Sequence, residues 1–495
     1  MFPKNARSGA SLALLVFLCC CGALRAGAAE KTELNLDLLV EQDYDSNVFA
    51  LPKNPIGSAV TTVRPSIGLE SISTLGTARL DGWLASHTFW SESGLNGVDR
   101  GVSAGGDRTI FPRINVFGYG SYQRVAPHSE IRGPDVVTIT QPAPGVPVEP
   151  VIEPGQLIEG AQPNVDLGQA QIGGRYSLTP RSKLTLGGGP FSIDYLTGSL
   201  GSAEFRDSAG WTGSLDLDHT ESALDRLHFT LGASSTDLDA LVSGQLSSGK
   251  SKSDQQSFSI GWDRSWSELW VSQFSIGVRR LHSQTIGASR PITRVEPGAG
   301  GVQPVTDFVP TNFEDVGPGL IGGFTIQRVL PRGTAGFSYS RETHTTGSFS
   351  ATDVNVDAVE LSYLHRLSAR ATFTLAGGYQ HYASVNNTEE IVGATYVTGS
   401  FNPITGPEFV CPQGSLIVTG SGANKGGQCA LGAKSSLTSN AWNGSARLDW
   451  QLRKPLSTFV VLRFEGRMGD VELFGSNYNR FNVGVGFTYD YGLGL

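Results

Sequence analysis

Phe481 to Leu495 reads FNVGVGFTYDYGLGL. Phe481, Val483, Val485, Phe487, Tyr489, Tyr491, Leu493 and Leu495 alternate with Asn482, Gly484, Gly486, Thr488, Asp490, Gly492 and Gly494. Successive side chains of a strand point to opposite faces, so one face of this run is wholly apolar and the other small or polar. A sandwich strand also alternates but is typically much shorter. About ten residues of tilted strand cross a bilayer, and this run has that length.

The same period recurs towards the N-terminus. Trp211, Leu215 and Leu217 oppose Asp216 and Asp218; Phe258, Ile260 and Trp262 oppose Ser259 and Asp263; Phe274, Ile276 and Val278 oppose Gln273, Ser275 and Arg279. Leu448, Trp450 and Leu452 likewise oppose Arg447, Asp449 and Gln451. Repeated period-two segments with no helical stretch between them predict an antiparallel meander rather than βαβ units. The connections alternate short and long. Short ones fall at 74–76, 112–113, 179–182, 221–225, 266–268, 331–333, 368–370 and 454–456; the long ones include 45–57, 126–165, 283–313 and 384–437. Outer-membrane barrels have short periplasmic turns and long outer loops. The chain therefore reads as all-β: a transmembrane antiparallel up-and-down β-barrel of about eighteen strands, with sixteen as the alternative count. Trp266, Trp270 and Trp450 near short turns, and Tyr44, Phe49, Trp90, Tyr122, Tyr195 and Tyr382 near long-loop ends, are expected to form two interfacial girdles.

The N-terminus fixes the compartment. Lys4 and Arg7 precede the apolar run Ser11 to Leu18, and Ala26-Gly27-Ala28 is a small-x-small cleavage site. Residues 1–28 therefore read as a secretory signal peptide and 29–495 as the barrel, placed in the outer membrane of a Gram-negative bacterium. A lipoprotein signal ending at Cys19, Cys20 or Cys21 is a second reading, although Leu18, Cys19 and Cys20 fit its small-residue requirement poorly. Glu30 leads almost directly into Leu34, so no periplasmic domain is expected between signal and barrel. Cleavage removes Lys4, Arg7 and Arg25 and takes the formal net charge from -8 to about -11, which argues against a nucleic-acid partner. The remaining cysteines, Cys411 and Cys429, read as a disulfide within a long loop rather than a metal site.

Parity also sorts the charges. If Val460, Leu462 and Phe464 face lipid, then Arg463, Glu465 and Arg467 point inward; Arg447, Asp449, Arg175, Asp216, Asp218, Asp263 and Arg279 follow the same rule. A charge on the lipid face costs a few kcal/mol near the midplane, so these ten are the pore-lining candidates. They either brace the wall as pairs or contact a solute. No His-Glu-x-x-His pair, zinc spacing or Gly-x-Ser-x-Gly elbow occurs, and neither an enzyme, a metal nor a cofactor is expected. Asp43 to Asn47 resembles the start of a calcium loop, but Val48 stands at the sixth place and Asn54 at the twelfth, where Gly and Glu are required; a loop cap fits better.

Tyr44-Asp45-Ser46-Asn47-Val48-Phe49, directly after the first strand, resembles a family of outer-membrane β-barrel porins whose members often open their barrel with such a segment. Many are encoded beside exopolysaccharide or capsule genes. The resemblance implies a conduit for a secreted polymer, working with separate periplasmic polysaccharide-export components. The last strand also resembles the signal read by the barrel assembly machinery, although Leu495 replaces the usual terminal Phe. Two further readings stand beside export: a general or solute-specific diffusion porin, and a non-conducting surface barrel whose loops bind partners. Outer-membrane lipid surrounds the chain in all three.

Overall fold

The computed structural model describes residues 31–48, 54–125, 164–196, 207–238, 242–243, 246–247, 250–298, 301–345, 353–384, 415–419, 426–430, 438–469 and 477–494. The proposed signal peptide, Phe49, Cys411 and most of the connections 126–165 and 384–437 lie outside them, as does the Cys429 side chain.

The described wall is one sheet of eighteen strands. In chain order these are β1 (Lys31–Asp45), β2 (Ser58–Ser73), β3 (Gly76–Phe89), β4 (Gly97–Phe111), β5 (Ile114–Val125), β6 (Asn164–Thr179), β7 (Ser182–Leu196), β8 (Ser208–Thr220) and β9 (Asp225–Leu238). They continue with β10 (Lys250–Ser267), β11 (Trp270–Gly298), β12 (Gly301–Leu330), β13 (Gly333–Thr345), β14 (Asp353–Arg366), β15 (Ala371–Ser384), β16 (Thr438–Arg453), β17 (Leu456–Gly469) and β18 (Tyr478–Gly494). Each pairs antiparallel with the next, and β1 pairs with β18 from Glu33↔Gly494 to Asp45↔Asn482, closing the barrel. Two short hairpins (Val242–Ser243 with Leu246–Ser247, and Ser415–Thr419 with Gly426–Ala430) stand in connections of the long-loop rim. The eight tight connections are those expected, and they share one rim with the ends of β1 and β18. The larger strand count is the observed one.

Alternation becomes two faces. On the convex face side chains splay apart, and Ile276 (54 %), Val460 (48 %), Val485 (52 %) and Leu186 (62 %) stand exposed. On the concave face side chains crowd one another: Glu41, Asp43, Arg279, Arg467 and Arg480 are buried. This inverts the arrangement of a water-soluble protein and suits a barrel whose outer solvent is hydrocarbon.

One connection differs from its sequence reading. Residues 283–313, expected as a long loop, continue the β11–β12 ladder to Gly298↔Gly301, with a register shift between Thr285 and Ala288. Here β10 pairs with β11 only as far as Ile286, and β13 with β12 only from Gly322. The extension is thus a two-stranded ribbon beyond the wall, whose outer edges form no ladder with another strand among the described residues. Such edges tolerate proline, and Pro291, Pro297, Pro304 and Pro310 interrupted the pattern by which the strands would have been recognised.

The two faces make a direct prediction. Ile276→Arg places a charge on the outer face and should destabilise the vesicle-embedded barrel by about 2–4 kcal/mol. Ser275→Arg, one residue away on the inner face, should cost less than about 1 kcal/mol by the surface-charge rule. Denaturant unfolding of both variants in lipid vesicles measures the contrast, and equal losses would refute the assignment of faces.

Candidate functional site

The inner wall carries the polar chemistry, most densely where β1 meets β18. Three acids of β1 point inward at successive even steps: Glu41, Asp43 and Asp45, each about 2 % exposed or less. Arg480 of β18 forks onto Asp45, with Nε 2.9 Å from Oδ1 and Nη2 on Oδ2, and its Nη1 lies 3.4 Å from Glu465 Oε1 on β17. Arg463 reaches across β18 to Glu41 (3.0 Å) and lies 3.7 Å from Asp43. It can do so because Gly484 stands between them; a Cβ there would fall on the Asp43 carboxylate. Arg467 lies 5.5 Å above the Tyr382 ring, which is turned inward and buried and so does not belong to the girdle expected of it.

The Tyr44–Val48 segment completes this seam. Asp45 Oδ1 accepts from the Asn47 backbone N–H (2.9 Å) while its carboxylate holds Arg480. Ser46 exchanges two bonds with Phe481: its N–H donates to the carbonyl (3.0 Å), and its Oγ accepts from the Phe481 N–H (2.8 Å). Asn47 Nδ2 donates to the Asn479 carbonyl at 3.2 Å. Val48 packs with Val60 and Phe89 in a buried cluster, and Tyr44 stands exposed on the outer face. Asp45, Ser46 and Asn47 thus clasp the first strand to the last.

The other candidate residues are dispersed around the wall. Arg447 holds Asp449 (Nε to Oδ1, 2.9 Å) and lies 4.0 Å over the Phe459 ring. Asp218 accepts from Arg226 at 2.6 Å, and Asp216 from Ser214 Oγ at 2.9 Å. Asp263 lies 3.8 Å from His228 Nδ1. Arg175 stacks over Phe117 at 4.9 Å, and Arg279 donates to Asn355 Oδ1 at 2.7 Å. Arg463, Glu465 and Arg467 come together at the seam, and Arg175 shares a cross-strand row with Asp216 through Thr185. A polar recess of about 400 Å³ opens beside His228 and Asp263, lined by Ser259, Gln273, Ser275, Thr325, Ser338 and Ser340.

Sequence reasoning missed Glu41, Asp43 and Arg480, although the outward Leu38 and Val40 would have marked Glu41 and Asp43 by the same parity. It also missed Thr62, His87 and Asp99 on β2, β3 and β4. Thr62 Oγ1 lies 3.1 Å from His87 Nδ1, and His87 Nε2 lies 2.9 Å from Asp99 Oδ2. The order is that of a nucleophile, base and orienting acid, and all three are buried, at most 5 % exposed. Among the described residues no group of three or more His, Cys, Asp or Glu could hold a metal ion.

The outer face decides the environment. Exposed aliphatic side chains encircle the wall, with Trp266 and Trp450 exposed at the short-turn rim and Tyr44 and Trp90 at the other. Only a closed barrel keeps every backbone group of a strand paired in hydrocarbon, and an even-stranded closed wall with this belt is the bacterial outer-membrane form. The chain is an outer-membrane β-barrel. No protein-family model matches it, and no curated protein does. Among solved structures it is similar to OccAB4 of Acinetobacter baumannii (8 % identity, TM-score 0.39, covering 94 % of this chain and 99 % of that one). It is also similar to the outer-membrane protein OpdK of Pseudomonas aeruginosa (10 % identity, TM-score 0.41, 94 % and 100 %) and to OccK2 (OpdF) of the same organism (9 %, 0.42, 94 % and 99 %). The outer-membrane assignment rests on the closed wall and its apolar belt.

Buried ion pairs lose most when one partner is removed, because the other charge is stranded. Arg480→Ala should therefore destabilise the barrel by about 3–5 kcal/mol. Arg79→Ala, which breaks the exposed Arg79–Asp81 pair (2.7 Å, with Arg79 67 % exposed), should cost less than about 1 kcal/mol. The loss of heat-resistant gel mobility with rising urea ranks the two, and a harmless Arg480→Ala would remove the seam from any role in closure.

Proposed function

We propose that this barrel is a passive aqueous conduit across the outer membrane, open to small polar solutes. The carrying observation is the division of faces: an apolar outer belt around an inner wall of serine, threonine, glutamine and charged side chains. Barrels of 16–18 strands are wide enough for a water-filled lumen. The ten inward charges are proposed to line it. The seam residues act mainly as braces. Asp449 (35 % exposed) and the Asp263 recess are left to meet the solute.

A finer reading, secretion of an exopolysaccharide or capsule polymer with periplasmic export partners, is supported by the Tyr44–Phe49 resemblance and by a recess rich in hydroxyl and amide groups. Weak, exchangeable hydrogen bonds of that kind suit a hydrated chain in transit.

Purified protein in a planar bilayer should give stepwise ion currents. Asp216→Arg combined with Asp263→Arg should shift the reversal potential in a potassium chloride gradient towards anion preference. A folded barrel that carries no current would sink the conduit reading. Gene deletion separates the finer reading: surface polysaccharide that falls while periplasmic polymer accumulates supports export, and an unchanged surface leaves solute diffusion.

A further inference from the structure

The outer face holds a charge that the conduit reading does not use. Arg100 lies on β4 between Val98 (60 % exposed) and Val102 (40 %), on the same face, and its partner on β3 is Leu84 (52 %). Its partner on β5 is another cation, Arg124. Arg124 is neutralised by a fork onto Asp166, with both bonds at 2.6 Å. Arg100 is exposed and makes no ion pair or hydrogen bond among the described residues. Like charges directly opposite each other destabilise a sheet, and a lone cation on a lipid-facing wall costs more still.

Height resolves the conflict. Arg100 stands twelve residues above Pro112 of its turn; at ~3.3 Å per residue and a tilt of about 40°, that is about 30 Å, just past the far edge of an apolar belt about 25 Å tall. Arg280 repeats the arrangement on β11. It lies about the same distance above its own turn, next to Val278 (53 % exposed), with Gln256 and Pro318 as strand partners and no anion bonded to it among the described residues. Both cations sit at the long-loop edge, where the outer leaflet presents phosphorylated glycolipid headgroups. A guanidinium binds phosphate with two parallel bonds, and the valines and leucine beside Arg100 offer surface to acyl chains.

We infer that Arg100, with Arg280 as a second site, binds the phosphate of an outer-leaflet glycolipid. The anion supplies the charge that β3–β5 lack and anchors the barrel at the correct depth. The inference rests on the outer-membrane assignment and is independent of what the lumen carries.

The test uses the full-length protein in neutral detergent, titrated with fluorescently labelled lipopolysaccharide and with the same glycolipid after enzymatic dephosphorylation. The protein should bind the phosphorylated form more tightly. The double variant Arg100→Gln with Arg280→Gln should weaken that binding about tenfold or more, as expected for losing charge-assisted bonds, without changing binding of the dephosphorylated form. Unchanged heat-modified gel mobility confirms that the variant is folded. Parental affinity in the double variant, equal binding of the dephosphorylated glycolipid, or full competition by equimolar inorganic phosphate would each overturn the proposal. So would a dimer that the double variant dissolves, which would make the patch a contact between copies.

Discussion

A backbone amide or carbonyl left unpaired in hydrocarbon costs several kcal/mol, and an open sheet edge would expose a whole row of them. Everything else in this fold follows from closing that edge. The pairing of β1 with β18 from Glu33↔Gly494 to Asp45↔Asn482 does so, but a ladder alone does not specify its partner. The side chains supply the specificity. Arg463 and Arg480 carry positive charge to Glu41, Asp43 and Asp45, residues more than four hundred positions earlier in the chain, and Ser46 and Asn47 tie the last turn of backbone to Phe481 and Asn479. A one-residue slip of β1 would turn Glu41, Asp43 and Asp45 into the lipid and strand Arg463 and Arg480, so the seam is selected by the cost of its alternatives.

The same crowding that buries these charges governs the rest of the inner wall. Several large rings face inward where the neighbouring strand has no side chain beneath them. The Trp83 indole lies over Gly101, the Phe459 ring over Gly486 and the His228 imidazole over Gly261; a Cβ at each glycine would collide with the ring. Glycine in a strand ordinarily weakens it, yet here it lets a ring lie along the wall instead of across the lumen. The high glycine content, which in another setting would argue against a folded domain, is part of what leaves room inside.

How much of this was legible depended on whether the signal was local. Period two is local, and so the inward side of Arg463, Glu465 and Arg467, the eight tight turns and the closed-barrel class could be read from single strands. Pairing is not local. Nothing near Thr62, His87 or Asp99 announces that three successive strands will align them, and Tyr382 lies near a loop end, as a girdle residue does, yet its position in the strand turns it inward. The β11–β12 ribbon was missed for a different reason: proline erases the pattern from which strands are recognised, yet is compatible with a ribbon whose outer edges join no ladder among the described residues.

Burial separates the two roles that parity left open for the inward charges. A guanidinium that is 4 % exposed and already forked onto a carboxylate, as Arg480 is, has little left with which to greet a passing solute. Its neutralisation also cancels much of the field it would project into the lumen. Asp449, partly open although paired with Arg447, and the Asp263 recess keep acceptors in reach of water. A conduit of this construction spends its strongest electrostatics on holding its own wall together, and its selectivity falls to the weaker, more exposed groups between the braces. Weak contacts are what passage requires, since a solute held as tightly as Asp45 holds Arg480 would not leave.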